Sequence, residues 1–341
     1  MSATVEVEAP DGQLGGPEGG SARRAGRARS IAIAVGKRLF DSVIVTMIVV
    51  ILSFLLVHLV PGDPARTILG FHASPDKVAA LHKSLGLDRP LFVQFLRYIG
   101  DVVRGNFGES VAHPGQSVES LLLPPLGVTL SVIAITVVIS LVVGSFSGLV
   151  AALSKSALLR NSLEVVSTAS LATPPFLLGL VMLVFVAVRW GIAPAGGWAG
   201  SWPANAQFAW LPALALSAYL GALVHRAVWT SARQVMNEDF IEAAVLRGHS
   251  PLRVALRHVL PNSLMPTISV VGMNIGTLIG GAAVIEAVFD LPGIGTQLVN
   301  AVSQRDYPTI QGAAVITALI VLFGNLIADL LHAVVDPRAR S

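Results

Sequence analysis

Six stretches of the chain stay apolar over the length of a membrane crossing, at about 39–60, 126–153, 161–189, 209–229, 263–285 and 308–332. Each is close to, or longer than, the roughly 20 residues that carry an α-helix through about 30 Å of hydrocarbon. Their Gly-rich apolar texture fits helices packed in lipid better than a barrel, whose strands would alternate polar and apolar residues at period two. The pattern predicts an all-α, polytopic membrane protein with six transmembrane helices.

Between the first two spans the pattern changes. Ser74-Pro75-Asp76 reads as a capped helix start with proline at the first position, and Gly86 as its stop. From Arg89 to Arg104, Leu91, Phe92, Phe95, Leu96, Ile99, Val102 and Val103 recur at helical spacing, predicting an amphipathic surface helix. A small helical extracytoplasmic element is therefore expected here. The first 30 residues have no hydrophobic period, carry four arginines, and read as a disordered tail rather than a signal peptide.

Composition removes the soluble alternatives. Of 341 residues, 53% are hydrophobic and 13% charged, against about 25% charged in a soluble domain. Mean hydropathy is +0.72. The absence of cysteine excludes disulfides, thiolate metal sites and a cysteine nucleophile. The net charge of +3 is spread between the spans, so it speaks of topology and not of nucleic acid. With the N-terminus inside, 15 of the 23 lysines and arginines fall in cytoplasmic segments, which predicts that both termini are cytoplasmic.

Several features mark the spans. Gly272, Gly276 and Gly280 form two overlapping GxxxG units on the fifth, and Gly144 with Gly148 repeats the device on the second, as helix-packing ridges. Asn274 points away from the first ridge, toward another helix or an aqueous pathway. Pro174-Pro175 break the third span and free the carbonyls of Ser170 and Leu171, which suits either a structural kink or a pathway element. Glu286 and Asp329 are the acids nearest the membrane, expected at its interfaces.

Enzymatic motifs are missing. There is no phosphate-binding G-x-x-x-x-G-K-[ST] and no histidine pair at i, i+4, and Phe146 occupies the nucleophile position of Gly144-Ser145-Phe146-Ser147-Gly148. No catalytic residue, metal site or cofactor of the chain's own is expected. A self-sufficient secondary transporter would need ionisable groups near the midplane, and the spans hold almost none.

The loop between spans four and five is the most informative segment. It reads as two short helices joined at Gly248, with Asp239 and Glu242 as a capping box, Ser250-Pro251 starting the second helix, and Ala243 and Ala244 keeping the first thin enough to enter a groove. Glu242-Ala243-Ala244, Gly248 and Leu260-Pro261 resemble the EAA loop of ABC importer permeases. Further stretches, in order, resemble the dipeptide/oligopeptide-type permease family. They are Pro61-Gly62-Asp63-Pro64-Ala65, Leu85 to Pro90, Gly105-Asn106-Phe107-Gly108, Glu286 to Gly295, Arg305-Asp306-Tyr307-Pro308 and Asp336-Pro337-Arg338.

The resemblance implies a type I ABC importer permease fold and half of a membrane heterodimer with a second, related permease. It also implies two ABC ATPase subunits that bind ATP and Mg, an extracytoplasmic substrate-binding protein, and location in a bacterial inner membrane. Peptide is the implied substrate, with nickel and glutathione as alternatives in the same family. Glu242, Ala243, Ala244 and Gly248 would form the ATPase-coupling contact, and Asn274, Pro174, Pro175 and Ser170 would belong to the translocation pathway. The implied organisation is a cytoplasmic tail (1–37), a first transmembrane helix (38–60), an extracytoplasmic segment (61–125), a permease core (126–335) with a coupling loop (231–262), and a cytoplasmic C-terminus (336–341).

Overall fold

In a computed structural model, residues 36, 40, 43–55, 74–85 and 88–335 are described. The tail up to residue 35, Pro61 to Ala65, Gly86 with Leu87, the side chain of Asp329, and Asp336-Pro337-Arg338 lie outside them. Among the described residues the chain is all-helical, with no strand and one isolated antiparallel bridge between Glu109 and Ser117.

The helices follow in order as α1 (Val43–Leu55), α2 (Pro75–Leu85), α3 (Leu91–Val103), α4 (Val118–Leu153) and α5 (Ala157–Ala172). Next come α6 (Pro175–Met182, prolonged by a π-helical stretch Leu183–Arg189), α7 (Ala206–Val235) and α8 (Asp239–Leu246). The last are α9 (Pro251–Val254, continued by a π-helical turn Ala255–Val259 and Leu260–Ser263), α10 (Met265–Val288), α11 (Ile294–Gln304) and α12 (Tyr307–Val335). Serines cap the helix starts as their positions suggest. Ser117 Oγ accepts from Ser120 N–H at 3.3 Å and Ser156 Oγ from Leu159 N–H at 3.4 Å. Four helices, α4, α7, α10 and α12, are long and apolar enough to cross a membrane, and α5 with α6 makes a fifth such unit, bent by 103°. The first predicted span is described only as the 13 residues of α1, too short by itself for a crossing.

The pairing of α4 with α7 sets the frame. Four small residues one turn apart on α4, Thr136, Ser140, Gly144 and Gly148, face Ala213, Ser217, Gly221 and His225 on α7. Thr136 Oγ1 donates to the carbonyl of Ala213 (3.3 Å) and Ser140 Oγ to that of Ser217 (3.4 Å). A Cβ on Gly144 would stand 2.5 Å from the Gly221 carbonyl oxygen, and one on Gly148 2.6 Å from that of His225. Partner numbers rise together along both helices, so α4 and α7 run parallel. Such close approach is what small residues allow in lipid, where apolar side chains gain nothing by leaving a hydrocarbon solvent.

Parallel neighbours require the intervening chain to return. Ser167 Oγ of α5 donates to the Ala222 carbonyl (3.4 Å), while Gly179 of α6 lies against Ala215, so the bent pair runs antiparallel to α7. The break follows from Pro174-Pro175, which lack the donors that the carbonyls of Ser170 and Leu171 would take. Thr173 closes α5 by donating N–H (3.0 Å) and Oγ1 (2.8 Å) to Ala169, and the Pro174 carbonyl accepts the first bonds of α6. On the far side, Gly272 meets Ala328, Gly276 lies near Val321 and Gly324 meets Ile275, so α10 and α12 are antiparallel. Gly280 has nothing within 4 Å of where its Cβ would be.

Two carboxylates fasten the end of the bundle where α4 begins. Glu286, in the last turn of α10, is fully buried within the protein. It accepts from Thr129 Oγ1 of α4 (2.5 Å) and from Gly295 N–H in the first turn of α11 (2.8 Å), and Thr129 Oγ1 accepts from Ile294 N–H (3.0 Å). Any Cβ on Gly293 or Gly295 would collide with this carboxylate or with Ala283. Asp306 accepts from Ser110 Oγ, from Val111 N–H (3.0 Å) and from Thr309 Oγ1 (2.7 Å), tying the segment after α3 to the start of α12. Phe107 then packs beside Val118 and Leu122 under Gly312. Nearby, α3 rests on α1 through Phe54, whose ring lies 5.3 Å from Phe95 and 5.8 Å from Tyr98, and burial pushes the Tyr98 phenol up to about 12.

Replacing Gly144 or Gly148 by Leu should separate α4 from α7, at a cost in the range of about 1–3 kcal/mol or more for overpacking. Gly280→Ala should be neutral, and protease resistance of the membrane-inserted chain distinguishes them. Burial alone would raise the Asp306 carboxyl, but the hydrogen bonds from Ser110, Thr309 and the backbone outweigh it and hold the group below the ordinary carboxylate range. Its contribution to stability is then present above about pH 4 and is lost as pH falls through the lower folded value. Amide exchange at Val111 should accelerate on acidification across that interval, and Asp306→Asn should make it fast at neutral pH.

Candidate functional site

The hairpin between α7 and α10 carries a short helix, α8, that leaves large apolar side chains exposed. Glu238, in extended conformation, is the residue before α8 and makes no side-chain cap bond, so the capping box expected of Asp239 and Glu242 does not form. Asp239 is instead the first helical residue, which moves Glu242 to the fourth position, beyond the N3 site a capping box needs. Both acids remain in the first turn, where negative charge is favourable. The expected breaks after α8 are present. Gly248 adopts φ +77°, its N–H donates to the Val245 carbonyl (2.9 Å), and His249 N–H reaches back to Ala244 (3.2 Å). This pair of bonds is the Schellman closure that favours glycine at the left-handed position. Ser250 Oγ then caps α9 by accepting from Arg253 N–H at 3.4 Å, with Pro251 at the first position. Pro261 cannot donate to the carbonyl four residues back, and the turn before it widens to a π-helix.

A rotation of about 100° per residue divides the α8 side chains between two surroundings. Ile241 and Ala244 are buried in an apolar cluster with Val224, Val228 and Ala232 of α7 and with Val254 and Val259. Ala243 is half-buried, while Glu242 and Gly248 are exposed. The thin face expected of both alanines thus belongs to Ala243, since Ala244 faces the bundle. Phe240, Val245 and Leu246 are exposed, Leu246 at 80%, and Leu252 and Leu256 of α9 continue the patch. Sequence reasoning passed over these residues. The available signal was an eight-residue helix carrying more large apolar side chains than one buried face can use.

The residues expected along a pathway sit elsewhere and do not bond one another. Asn274 is half-buried on α10 and donates its amide to the Val270 carbonyl (2.8 Å), so its polarity is satisfied within its own helix. Ser170 and Pro175 are half-buried and Pro174 is exposed at the bend. Beyond the bend, Gly179 meets Ile285, about three turns further along α10 than Asn274. Between α4, α9, α10 and α12 opens an apolar cleft of about 1230 Å³, lined among others by Ile133, Leu141, Leu256, Val271 and Ile327. Among the described residues no cluster of His, Cys, Asp or Glu could hold a metal ion.

Comparison with known proteins agrees with this architecture. Residues 140–341, more than half of the chain, match the family described as binding-protein-dependent transport system inner membrane component, and residues 33–146 match its N-terminal counterpart. A protein of Brucella suis biovar 1 named as a peptide permease is 36% identical over 297 residues, covering 85% of this chain and 93% of that protein. One of Sinorhizobium fredii named as a peptide ABC transporter permease is 34% identical, covering 91% and 100%. The glutathione transport system permease protein GsiC of Salmonella typhimurium is also 34% identical, covering 89% and 97%. The family is a membrane component and not an enzyme, and hydrolysis of ATP lies in separate subunits. A multi-pass helical chain matched along almost its whole length in this way belongs to the dipeptide/oligopeptide-type ABC importer permeases, the inner membrane components of binding-protein-dependent transport systems.

Proposed function

We propose that this chain is one of two related permease subunits that together form the pathway of an ATP-driven importer of di- and oligopeptides. The observation that carries the coupling part of this reading is the α8 tip, exposed and apolar at Phe240, Val245 and Leu246 yet rooted in α7 through Ile241 and Ala244. An exposed apolar patch on a rigid helix is a docking surface. Glu242, Ala243, Ala244 and Gly248 form the coupling contact with a cytoplasmic ATPase. Glu242 and Ala243 lie at its surface, Ala244 holds the helix to the bundle, and Gly248 permits the sharp turn that presents it.

Six spans with both termini cytoplasmic complete the topology. Alternating directions of α4, the bent α5–α6 pair, α7, α10 and α12 support five, and α1 joins them at the end where Gln311 Nε2 donates to the Ser53 carbonyl (2.8 Å). The α2–α3 segment is then extracytoplasmic, on the side from which a binding protein delivers substrate. The second permease closes the apolar cleft between α4, α10 and α12, which a monomer would leave open. Asn274, Ser170 and the bend at Pro174-Pro175 contribute to the pathway between the two subunits. ATP and Mg act on the partner ATPases, and substrate crosses as the nucleotide state shifts the population between outward-open and inward-open forms.

Peptide is favoured over other cargo by the names of the Brucella and Sinorhizobium relatives, while the Salmonella relatives favour glutathione, itself a small peptide.

Gly248→Val and Ala243→Arg should each abolish transport and release the ATPases while membrane insertion persists. Full transport by the double variant sinks the coupling assignment. For cargo, titration calorimetry on the partner binding protein should detect di- and oligopeptides, and binding of glutathione alone would reassign it. In vesicles, Asn274→Leu should lower the transport rate or alter peptide preference, and an unchanged rate and profile would remove Asn274 from the pathway.

A further inference from the structure

Among the described residues, α3 keeps a whole apolar side uncovered. Phe54 of α1 meets it through Phe95 and Tyr98, three residues apart and so on one side of the helix. Phe92, Leu96, Ile99 and Val103 fall on a second side, about a quarter turn further round at 100° per residue, and make a stripe over three turns. Phe92 is 69% exposed, Leu96 53% and Val103 81%, with Ile99 half-buried. Gln94, Arg97, Asp101 and Arg104 take the side opposite the stripe, where Arg104 pairs with Asp101 at 3.7 Å. Leu91 and Val93, in the first turn, are exposed outside the stripe, and no residue of α3 is buried. A helix on the surface of a water-soluble domain would turn such a stripe toward the core.

Two ties set the level of this helix in the bundle. Phe54, on which α3 rests, follows Ser53, whose carbonyl accepts from Gln311 near the start of α12. A few residues beyond the C-terminus of α3, Ser110 Oγ and Val111 N–H donate to Asp306, at the head of the same α12. Both ties lie at the end of the bundle that the six-span topology makes extracytoplasmic. The 13 residues of α3 reach about 20 Å as a helix, too few for a crossing of their own. The stripe therefore stands beside the ends of the crossings, at the level where hydrocarbon gives way to headgroups. On the neighbouring α1, Ile48, Leu52 and Leu55 are exposed and continue the apolar surface downward. Arg97 and Arg104, on the other side of α3, have stems long enough to carry their charge to lipid phosphates. One apolar face, one charged face and a place at the boundary are the marks of a helix lying in a membrane interface.

We propose that α3 is a lipid anchor, with Phe92, Leu96, Ile99 and Val103 set among the acyl chains of the outer leaflet and Arg97 and Arg104 among its headgroups. The anchor holds the segment after α3 against Asp306, at the mouth of the bundle. This rests on the reading of α3 as extracytoplasmic and adds a phospholipid surface to the partners of the chain.

Because the chain has no cysteine, single substitutions Phe92→Cys, Leu96→Cys, Val103→Cys and Arg97→Cys, all at exposed positions, are the only labelling targets in their chains. Each full chain, spin-labelled in phospholipid nanodiscs, is read by power saturation with oxygen, which concentrates in hydrocarbon, and with a water-soluble nickel chelate. Labels at 92, 96 and 103 should be severalfold more accessible to oxygen than to the chelate, and the label at 97 should show the reverse. The same contrast should hold in the assembled importer. Adding Phe92→Glu and Val103→Glu to the Leu96→Cys chain should raise its chelate accessibility to that of the label at 97, whereas Phe92→Leu with Val103→Leu should leave it low. Stripe labels as open to the chelate as the label at 97 overturn the lipid contact. Stripe labels that lose oxygen access when the second permease and the binding protein are added also overturn it, in favour of a protein cover. The topology fails separately. A membrane-impermeant thiol reagent added to intact cells should modify Arg97→Cys, and modification only from the cytoplasmic side overturns the outer placement together with the reading on which it rests.

Discussion

The close approach of α4 to α7 is the constraint on which the remaining architecture depends. Carbonyl oxygens of Gly221 and His225 sit where the side chains of Gly144 and Gly148 would otherwise begin, and Thr136 and Ser140 add hydroxyl bonds one and two turns earlier. In a hydrocarbon solvent, packing of this kind has to supply the association that water would drive in a soluble protein. The consequence is visible in exposure. In its most apolar 18-residue stretch α7 is 61% buried, against 22–28% for α4, α10 and α12, so α7 is the post around which the others stand. Because the pair is parallel, the chain between them must travel the full length back. Two adjacent prolines then cause a bend of 103° within that return, without removing it.

At the far end, polar chemistry replaces small-residue packing. Glu286 and Asp306 solve the same problem in the same way, each offering a carboxylate to a backbone N–H and to a hydroxyl from a distant segment. A buried carboxylate without such donors would be costly. Gly293 and Gly295 leave the room for Glu286 to reach them. These two acids account for why the Glu286–Gly295 and Arg305–Pro308 stretches read as signatures, since each encodes an acid together with the turn that it stabilises.

Much of this was legible in the chain. The four unbroken later spans lie within a few residues of α4, α7, α10 and α12, except that α7 runs six residues past 229 and α4 starts inside the segment assigned to 61–125, where Pro124-Pro125 belong to a helix capped at Ser117. Hydrophobic patterning reports burial in lipid or protein alike, so it found the helices and could not say which helix was central. The seam was half visible, since Gly144 and Gly148 were read as a ridge while the matching Ala213, Ser217, Gly221 series on α7 carries only one glycine. The burial of Glu286 leaves no mark in the hydrophobic pattern, because the hydroxyl it accepts from belongs to Thr129 on a distant helix. Phe240, Val245 and Leu246 were passed over because an apolar residue in a short helix is ordinarily a buried one.

The position of α8 explains how a docked partner could act on the whole bundle. Ile241 and Ala244 pack on Val228 and Ala232, which lie on the same α7 that carries Gly221 and His225 one to three turns away. A displacement of α8 is therefore delivered to the most buried helix and not to a peripheral one. From α7 it reaches α4 through backbone contact too close to absorb a shift, and it reaches the α5–α6 bend through Ser167 and Gly179. Packed interfaces of this density respond by moving as units. The Pro174-Pro175 break, already short of two backbone bonds, is the cheapest place along that route for the angle to change.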